Sequence, residues 1–323
     1  MTGTGGTHKL KIFSGRANRP LAEGIAKHLA VPLGNINLGS FPDGETMVRI
    51  DEDVRGRDVF VVQPTSPPVN QHLMELLIML DAFKRASPAR VTAVIPYYGY
   101  ARQDRKDTGR VPISAKLVAD LLTTAGAHRV LCLDLHAAQI QGFFNIPVDH
   151  LYASNEITAH VRSLGIPANE LVVLSTDEGN VKKALKYQGR LGGQIAVVDK
   201  RRSSATETTA AHLIGDVDGK TVVLFDDMIS TGSSMVKAIE IARKHGAKRV
   251  FACATHGLLV DRAVNRLRDA GIEQIAITDS IPLAADKQLP NIKVISVAAL
   301  LANAIRRIHE DQSISELFTD DAR

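Results

Sequence analysis

The chain has 323 residues, no tryptophan and only two cysteines. Cys132 lies in RVLCLDL and Cys253 in RVFACAT, apolar runs in which a small buried hydrophobe is expected. No disulfide framework or zinc-ligand spacing is visible. Aromatics are scarce at 4% and the net charge is only +4, with no Lys/Arg block interleaved with aromatic rings, so a nucleic-acid partner is not expected. No uncharged apolar run approaches the roughly 20 residues that a membrane span needs. The opening MTGTGGTHKL lacks the apolar core of a signal peptide. A cytoplasmic protein is the expectation. What is abundant is hydrophobic surface: at 45% hydrophobic residues the chain buries a large core, and its length favours two domains over one.

Three similar units punctuate the chain: ASPARVTAVIPYYG from Ala86, AGAHRVLCLDLHA from Ala125 and HGAKRVFACATHG from His245. Each puts a small-residue helix exit and a basic residue before a short Val/Ile/Leu-rich run, the pattern of a helix feeding a buried strand. Amphipathic stretches precede them at 69–85, 113–124 and 234–244, so the spacing predicts parallel βαβ units throughout. Further strands are expected in KLKIFSG, DVFVVQP, ELVVLSTD, GQIAVVDK, TVVLFDD and EQIAITDS, most of them ending in a polar or acidic residue. In open α/β sheets ligands bind beyond that end of the strands, although an Asp or Ser there equally serves as a helix cap. A boundary is expected near 147–155, and the helix SVAALLANAIRRIHED near the C-terminus is expected to pack back on the first half. KRRSSATETTAA, from Lys200 to Ala211, reads as an exposed loop.

The chemistry concentrates in TVVLFDDMISTGSS, residues 221–234. There an apolar strand is expected to end at Asp226 and Asp227, and Ser230, Thr231, Gly232, Ser233 and Ser234 lead into a helix. Backbone N–H groups at a helix N-terminus, with hydroxyls beside them and a Gly permitting close approach, suit a phosphate. Two carboxylates repel a phosphate but accept hydrogen bonds from neutral hydroxyls. A sugar phosphate satisfies both halves. A merely capped helix accounts for the Ser/Thr cluster and leaves the paired acids unexplained.

This stretch resembles the phosphoribosyl-binding motif of type I phosphoribosyltransferases and ribose-phosphate pyrophosphokinases. FPDGE (Phe41 to Glu45), VQPTSPPVNQHLMELLIMLDAFKRAS (Val62 to Ser87), IPYYGYARQDRK (Ile95 to Lys106), PISAKLVADLL (Pro112 to Leu122), DLHAAQIQGFFNIPVDHL (Asp134 to Leu151), DKRR (Asp199 to Arg202) and SISELF (Ser313 to Phe318) resemble the pyrophosphokinases. The likeness is to the phosphate-activated bacterial type. It implies an α/β fold of two type I phosphoribosyltransferase-like domains, each a mostly parallel sheet flanked by helices, with 1–152 on the ATP side and 153–323 on the ribose 5-phosphate side. The activity implied moves the β,γ-diphosphoryl group of ATP onto the C1 hydroxyl of ribose 5-phosphate.

For catalysis the resemblance implies cations at Lys200 and Arg202, on a loop that closes over ATP, although charge pattern alone reads DKRR as a solvated turn. It implies Mg2+ on His136 and Asp177, where a lone strand-end His would otherwise be read as a core or hydrogen-bonding residue. ATP is implied to meet Arg102, Gln103 and Asp107, with Phe41, Asp43, Gly44 and Glu45 lent by a neighbouring subunit of a hexamer built from dimers. Ribose 5-phosphate is implied to meet Arg202, Asp226, Asp227 and the 230–234 loop, and inorganic phosphate is implied as an activator.

Three positions depart from the family pattern. Ser230 stands where an acid is usual, and in STDEGNVKKA Asn180 replaces a glycine and Lys183 an arginine. Two rival functions stay open. A phosphoribosyltransferase would not need FPDGE, YARQDRK or DLHA, and a non-catalytic regulatory homologue would have lost the loop cations or metal ligands that are present here.

Overall fold

The computed structural model describes residues 9–200 and 211–318. They fall into two units: Met1–Tyr152 with Ser280–Pro282 and Ser296–Arg323, and Ala153–Asp279 with Leu283–Ile295.

In the first unit the chain runs β1 (Leu10–Ser14), α1 (Arg19–Leu29), β2 (Ile36–Ser40), β3 (Thr46–Ile50), β4 (Asp58–Val62), α2 (Val69–Arg85), β5 (Arg90–Ile95), α3 (Ser114–Ala125), β6 (Arg129–Leu133) and β7 (Val148–Leu151). The main sheet has the order β1-β4-β5-β6-β7, and every pairing in it is parallel. DVFVV in β4 is buried along its whole length, which is why it reads as an unbroken apolar run rather than an alternation. The helix expected at 69–85 is α2, whose Leu73, Leu76, Met79, Leu80 and Phe83 line one core face. β2 and β3 form a separate antiparallel hairpin, so the alternation of strand and helix is interrupted here. Their half-exposed residues, with Gly39 among them, carry too little alternation to announce strands.

At Gly15, just past β1, the backbone passes so close to Gln63 that a methyl group there would lie 2.2 Å from its Oε1. Gln63 is fully buried, accepts from Ala17 N at 3.1 Å and donates to Glu75 at 2.9 Å, so it has no easy retreat. Gly15→Ala is therefore expected to destabilise the protein by about 1–3 kcal/mol through overpacking, read as a lowered urea midpoint.

The second unit comprises α4 (Ser154–Ser163), β8 (Leu171–Ser175), α5 (Val181–Leu191), β9 (Gln194–Lys200), β10 (Ala211–Ile214), β11 (Thr221–Ile229), α6 (Ser233–Lys244), β12 (Arg249–Gly257), α7 (Ala263–Asp269), β13 (Gln274–Thr278) and β14 (Ile292–Ile295). Its sheet has the order β10-β9-β8-β11-β12-β13-β14, parallel except where β10 runs against β9. From β8 the strands add toward β9 on one side and from β11 toward β14 on the other. The order reverses between β8 and β11, and such a switch point opens the crevice in which α/β sheets bind ligands.

The last helix, α8 (Ala298–His309), belongs to the first unit. Arg306 donates to the carbonyl of His28 at the end of α1 at 3.0 Å. Arg90 grips the buried Asp58 with two nitrogens at 2.9 and 2.6 Å, donates to the Ile308 carbonyl at 3.0 Å, and shares Asp58 with His309 Nδ1 at 2.8 Å. Cys132 and Cys253 are buried free thiols, and burial pushes both thiols up, that of Cys253 to about 12. Among the described residues no helix is long and apolar enough to cross a membrane.

Candidate active site

The strand that carries the acid pair does not end at Asp226 and Asp227, as the sequence suggests, but continues to Ile229. Its pairing with β8 stops at Leu224, whereas pairing with β12 persists to Ile229↔Gly257. One long neighbour therefore extends the strand while the short one leaves a gap. Asp226 and Asp227, on β11, lie just past the last rung paired with β8 and are half-buried.

Asp177 follows β8 and caps the next turn, its Oδ1 accepting from Asn180 N at 3.1 Å. Asn180 Nδ2 in turn donates to the carbonyl of Phe225 at 2.9 Å and to Thr176 Oγ1 at 3.4 Å. From the first turn of α5, Lys183 Nζ reaches Asp227 Oδ1 at 3.1 Å and Asp226 Oδ1 at 3.5 Å. The ring of Tyr187, one turn further on, stacks on Phe225 at 3.8 Å and an interplanar angle of 8°. Burial, with the neighbouring Asp227 adding to it, pushes the Asp226 carboxyl up to about 7, while the Lys183 ammonium opposes the rise.

Beyond Ile229 the residues 230–234 turn into α6. Gly232 adopts φ 72° as its N-cap, a left-handed conformation for which glycine is the natural choice, and Ser233 begins the helix. The first N–H groups of a helix of this length lack partners within it and point outward. Ser230 and Ser233 are half-buried, Thr231 and Ser234 exposed, and Thr231 Oγ1 and Ser233 Oγ lie 3.2 Å apart. Arg266 of α7 fastens the loop by donating to the Thr231 carbonyl at 2.9 Å. No sequence signal links Arg266 to a loop 35 residues away.

In the first unit, Arg102, Gln103, Asp107 and His136 line one cavity of about 600 Å3. Asp104, Arg105, Thr108 and Gln139 add to its polar wall. The first two lie inside the YARQDRK motif, where nothing in the sequence distinguishes them from solvated charges; Gln139 bonds to Asp104. Gln103 is held by its N–H on the Tyr100 carbonyl at 3.1 Å and by the hydroxyl of Ser114.

Phe41, Asp43, Gly44 and Glu45 do not line that cavity. They form the turn of the β2–β3 hairpin, closed by Phe41 N on the Glu45 carbonyl at 2.8 Å and by Glu45 N on Asp43 Oδ1 at 3.2 Å. Gly44 takes φ 94°, and Phe41 leaves 48% of its surface exposed. Lys200 is the last residue of β9, its side chain outside the described set, and Arg202 lies outside the described residues altogether.

Residues 10–126 match the N-terminal domain of ribose phosphate pyrophosphokinase, and residues 202–319 match the phosphoribosyl synthetase-associated domain. A ribose-phosphate pyrophosphokinase of Rhodopirellula baltica is 58% identical over 313 residues, 97% of this chain and 99% of that one. One from Thermotoga maritima is 53% identical over 314 residues, again 97% and 99% of the two chains. The crystal structure of phosphoribosylpyrophosphate synthetase from Mycobacterium smegmatis matches with a TM-score of 0.88 at 45% identity, over 94% of this chain and 99% of that one.

Proposed function

This chain belongs to the ribose-phosphate pyrophosphokinase family, and we infer from that membership that it transfers the β,γ-diphosphoryl group of ATP to the C1 hydroxyl of ribose 5-phosphate. The products are 5-phosphoribosyl 1-pyrophosphate and AMP. The observation that carries the reading within this chain is the acid pair and the 230–234 loop together at the switch point of the second sheet.

Asp226 and Asp227 accept hydrogen bonds from the ribose hydroxyls, and the N–H groups and hydroxyls of Ser230, Thr231, Gly232, Ser233 and Ser234 hold the 5-phosphate. Serine at 230 spares the phosphate a neighbouring negative charge. Arg102, Gln103 and Asp107 take ATP in the first unit's cavity. Phe41, Asp43, Gly44 and Glu45 serve the adenine of a neighbouring subunit in a hexamer, a reading supported by a turn whose exposed aromatic ring is not part of that cavity's lining. Lys200 and Arg202 supply cations to the transferred group. A cytoplasmic location and activation by inorganic phosphate complete the proposal.

Mg2+ on substrate phosphates needs only one or two protein donors, and the Asp177 carboxylate at the turn after β8 offers the hard oxygen donor such an ion takes. His136, exposed on the cavity wall, is the second candidate. When bound, the ion neutralises charge on the transferring phosphates.

The deciding experiment mixes the purified protein with ATP, Mg2+ and ribose 5-phosphate and follows AMP. No AMP above background, with or without added phosphate, sinks the reading. A pH effect also follows. Because the Asp226 carboxyl is raised to about 7, the ionised form that best accepts from hydroxyls is lost as pH falls through that value. The KM for ribose 5-phosphate is expected to rise about tenfold from about pH 8 to about pH 6, and Asp226→Asn should flatten most of that dependence.

A further inference from the structure

We propose that Asn180 and Lys183 are positioning residues for the sugar: together they set the Asp226–Asp227 segment in place to receive the ribose hydroxyls. The inference rests on the reading that the acid pair meets those hydroxyls.

The strand needs a brace at this point. Past Leu224 it loses β8 as a neighbour, and a half-buried carbonyl without a partner is unfavourable. Asn180 Nδ2 takes the Phe225 carbonyl at 2.9 Å, so a side-chain amide continues where the ladder stops, immediately before Asp226. Its own N–H sits on Asp177 Oδ1 at 3.1 Å, which ties the turn after β8 to the same strand segment. A glycine at 180 would keep the turn and lose the brace.

The acid pair needs a cation as well. Adjacent half-buried carboxylates repel each other and resist ionising together. Lys183 reaches Oδ1 of both, at 3.1 and 3.5 Å, and stacking of Tyr187 on Phe225 fixes the face of α5 that points this way. An ammonium donates in three directions and so serves two carboxylates at once, where a guanidinium fork favours two oxygens of one. Lys183 thus acts on the sugar through the acids and need not touch it.

The test is steady-state kinetics with ATP and ribose 5-phosphate varied separately. Lys183→Met is expected to raise the KM for ribose 5-phosphate about tenfold while kcat and the KM for ATP move less than about twofold. Lys183→Arg should return to within about threefold of the unsubstituted protein, because the charge is kept. Asn180→Gly should raise the same KM about threefold. In an Asp226→Asn background the effect of Lys183→Met should shrink by about threefold or more, the coupling expected of groups that act on one another.

An unchanged KM for ribose 5-phosphate in Lys183→Met, equal losses for both substrates, or an undiminished effect in the Asp226→Asn background overturns the proposal while leaving the proposed activity standing. No AMP from the unsubstituted protein overturns that activity and this inference with it. Thermal unfolding checks each variant; if Lys183→Met does not fold, Lys183→Gln carries the same expectation and the same overturning results.

Discussion

Lys200→Ala is expected to lower kcat by on the order of 100-fold or more if Lys200 has the catalytic role proposed for it, the usual loss when a single donor to transition-state charge is removed. Transfer of a diphosphoryl group asks little covalent chemistry of the protein, so its work is holding two substrates in line and neutralising the charge that develops on the moving group and on departing AMP. Lys200 ends β9, which pairs with β8 as far as Ser175↔Val197, so its backbone stands beyond the C-terminal end of β8, the strand that leads to Asp177. Single-turnover measurement of AMP release separates the chemical step from binding. A loss confined to the KM for ATP would assign Lys200 to ATP binding alone.

Asp58→Ala is expected to destabilise the protein by about 3 kcal/mol, because removing the anion from a buried ion pair leaves the Arg90 guanidinium uncompensated. Asp58 is 2% exposed and holds both Arg90, by two hydrogen bonds, and His309. Without it the Arg90 guanidinium keeps only the Ile308 carbonyl and Asp311, the latter at 3.5 Å, and α8 loses a fastening to the edge of β4 and β5. The urea midpoint should fall, and proteolysis near the end of α8 should quicken. Asp58→Asn, which retains an acceptor but no charge, should recover part of the loss. Equal stability of Asp58→Ala and the unsubstituted protein would mean that desolvating the cluster already offsets its attraction.

These two expectations differ in how much of their basis the sequence carried. DKRR singles out Lys200 by resemblance without any coordinates. Nothing in DVFVV or RIHED announces that Asp58 and His309, 251 positions apart, lie within hydrogen-bonding distance. The strongest periodic elements, such as α2 and the apolar runs of β4, β8 and β11, were legible because their burial is dictated by local pattern. The hairpin around FPDGE was not, since half-exposed strands that pair only with each other carry little alternation.

The same division runs through the candidate site. TVVLFDDMISTGSS places two acids and a hydroxyl-rich helix start next to one another, and sequence adjacency is enough for a sugar-phosphate reading. Where β11 stops is a different matter. That depends on which neighbour stays paired with it, and β12 does so to Ile229 while β8 stops at Leu224.

What the sequence by itself determined is the family, the main strands and helices, and the residue types at the turns of the candidate site, because these rest on local pattern and on motif order along the chain. Only the tertiary structure decided that the strand order reverses between β8 and β11 and that Asn180 and Lys183 attend the acid pair. Each of those depends on contacts between segments far apart in the chain, formed where burial and charge compensation are both satisfied, and no local pattern encodes that coincidence.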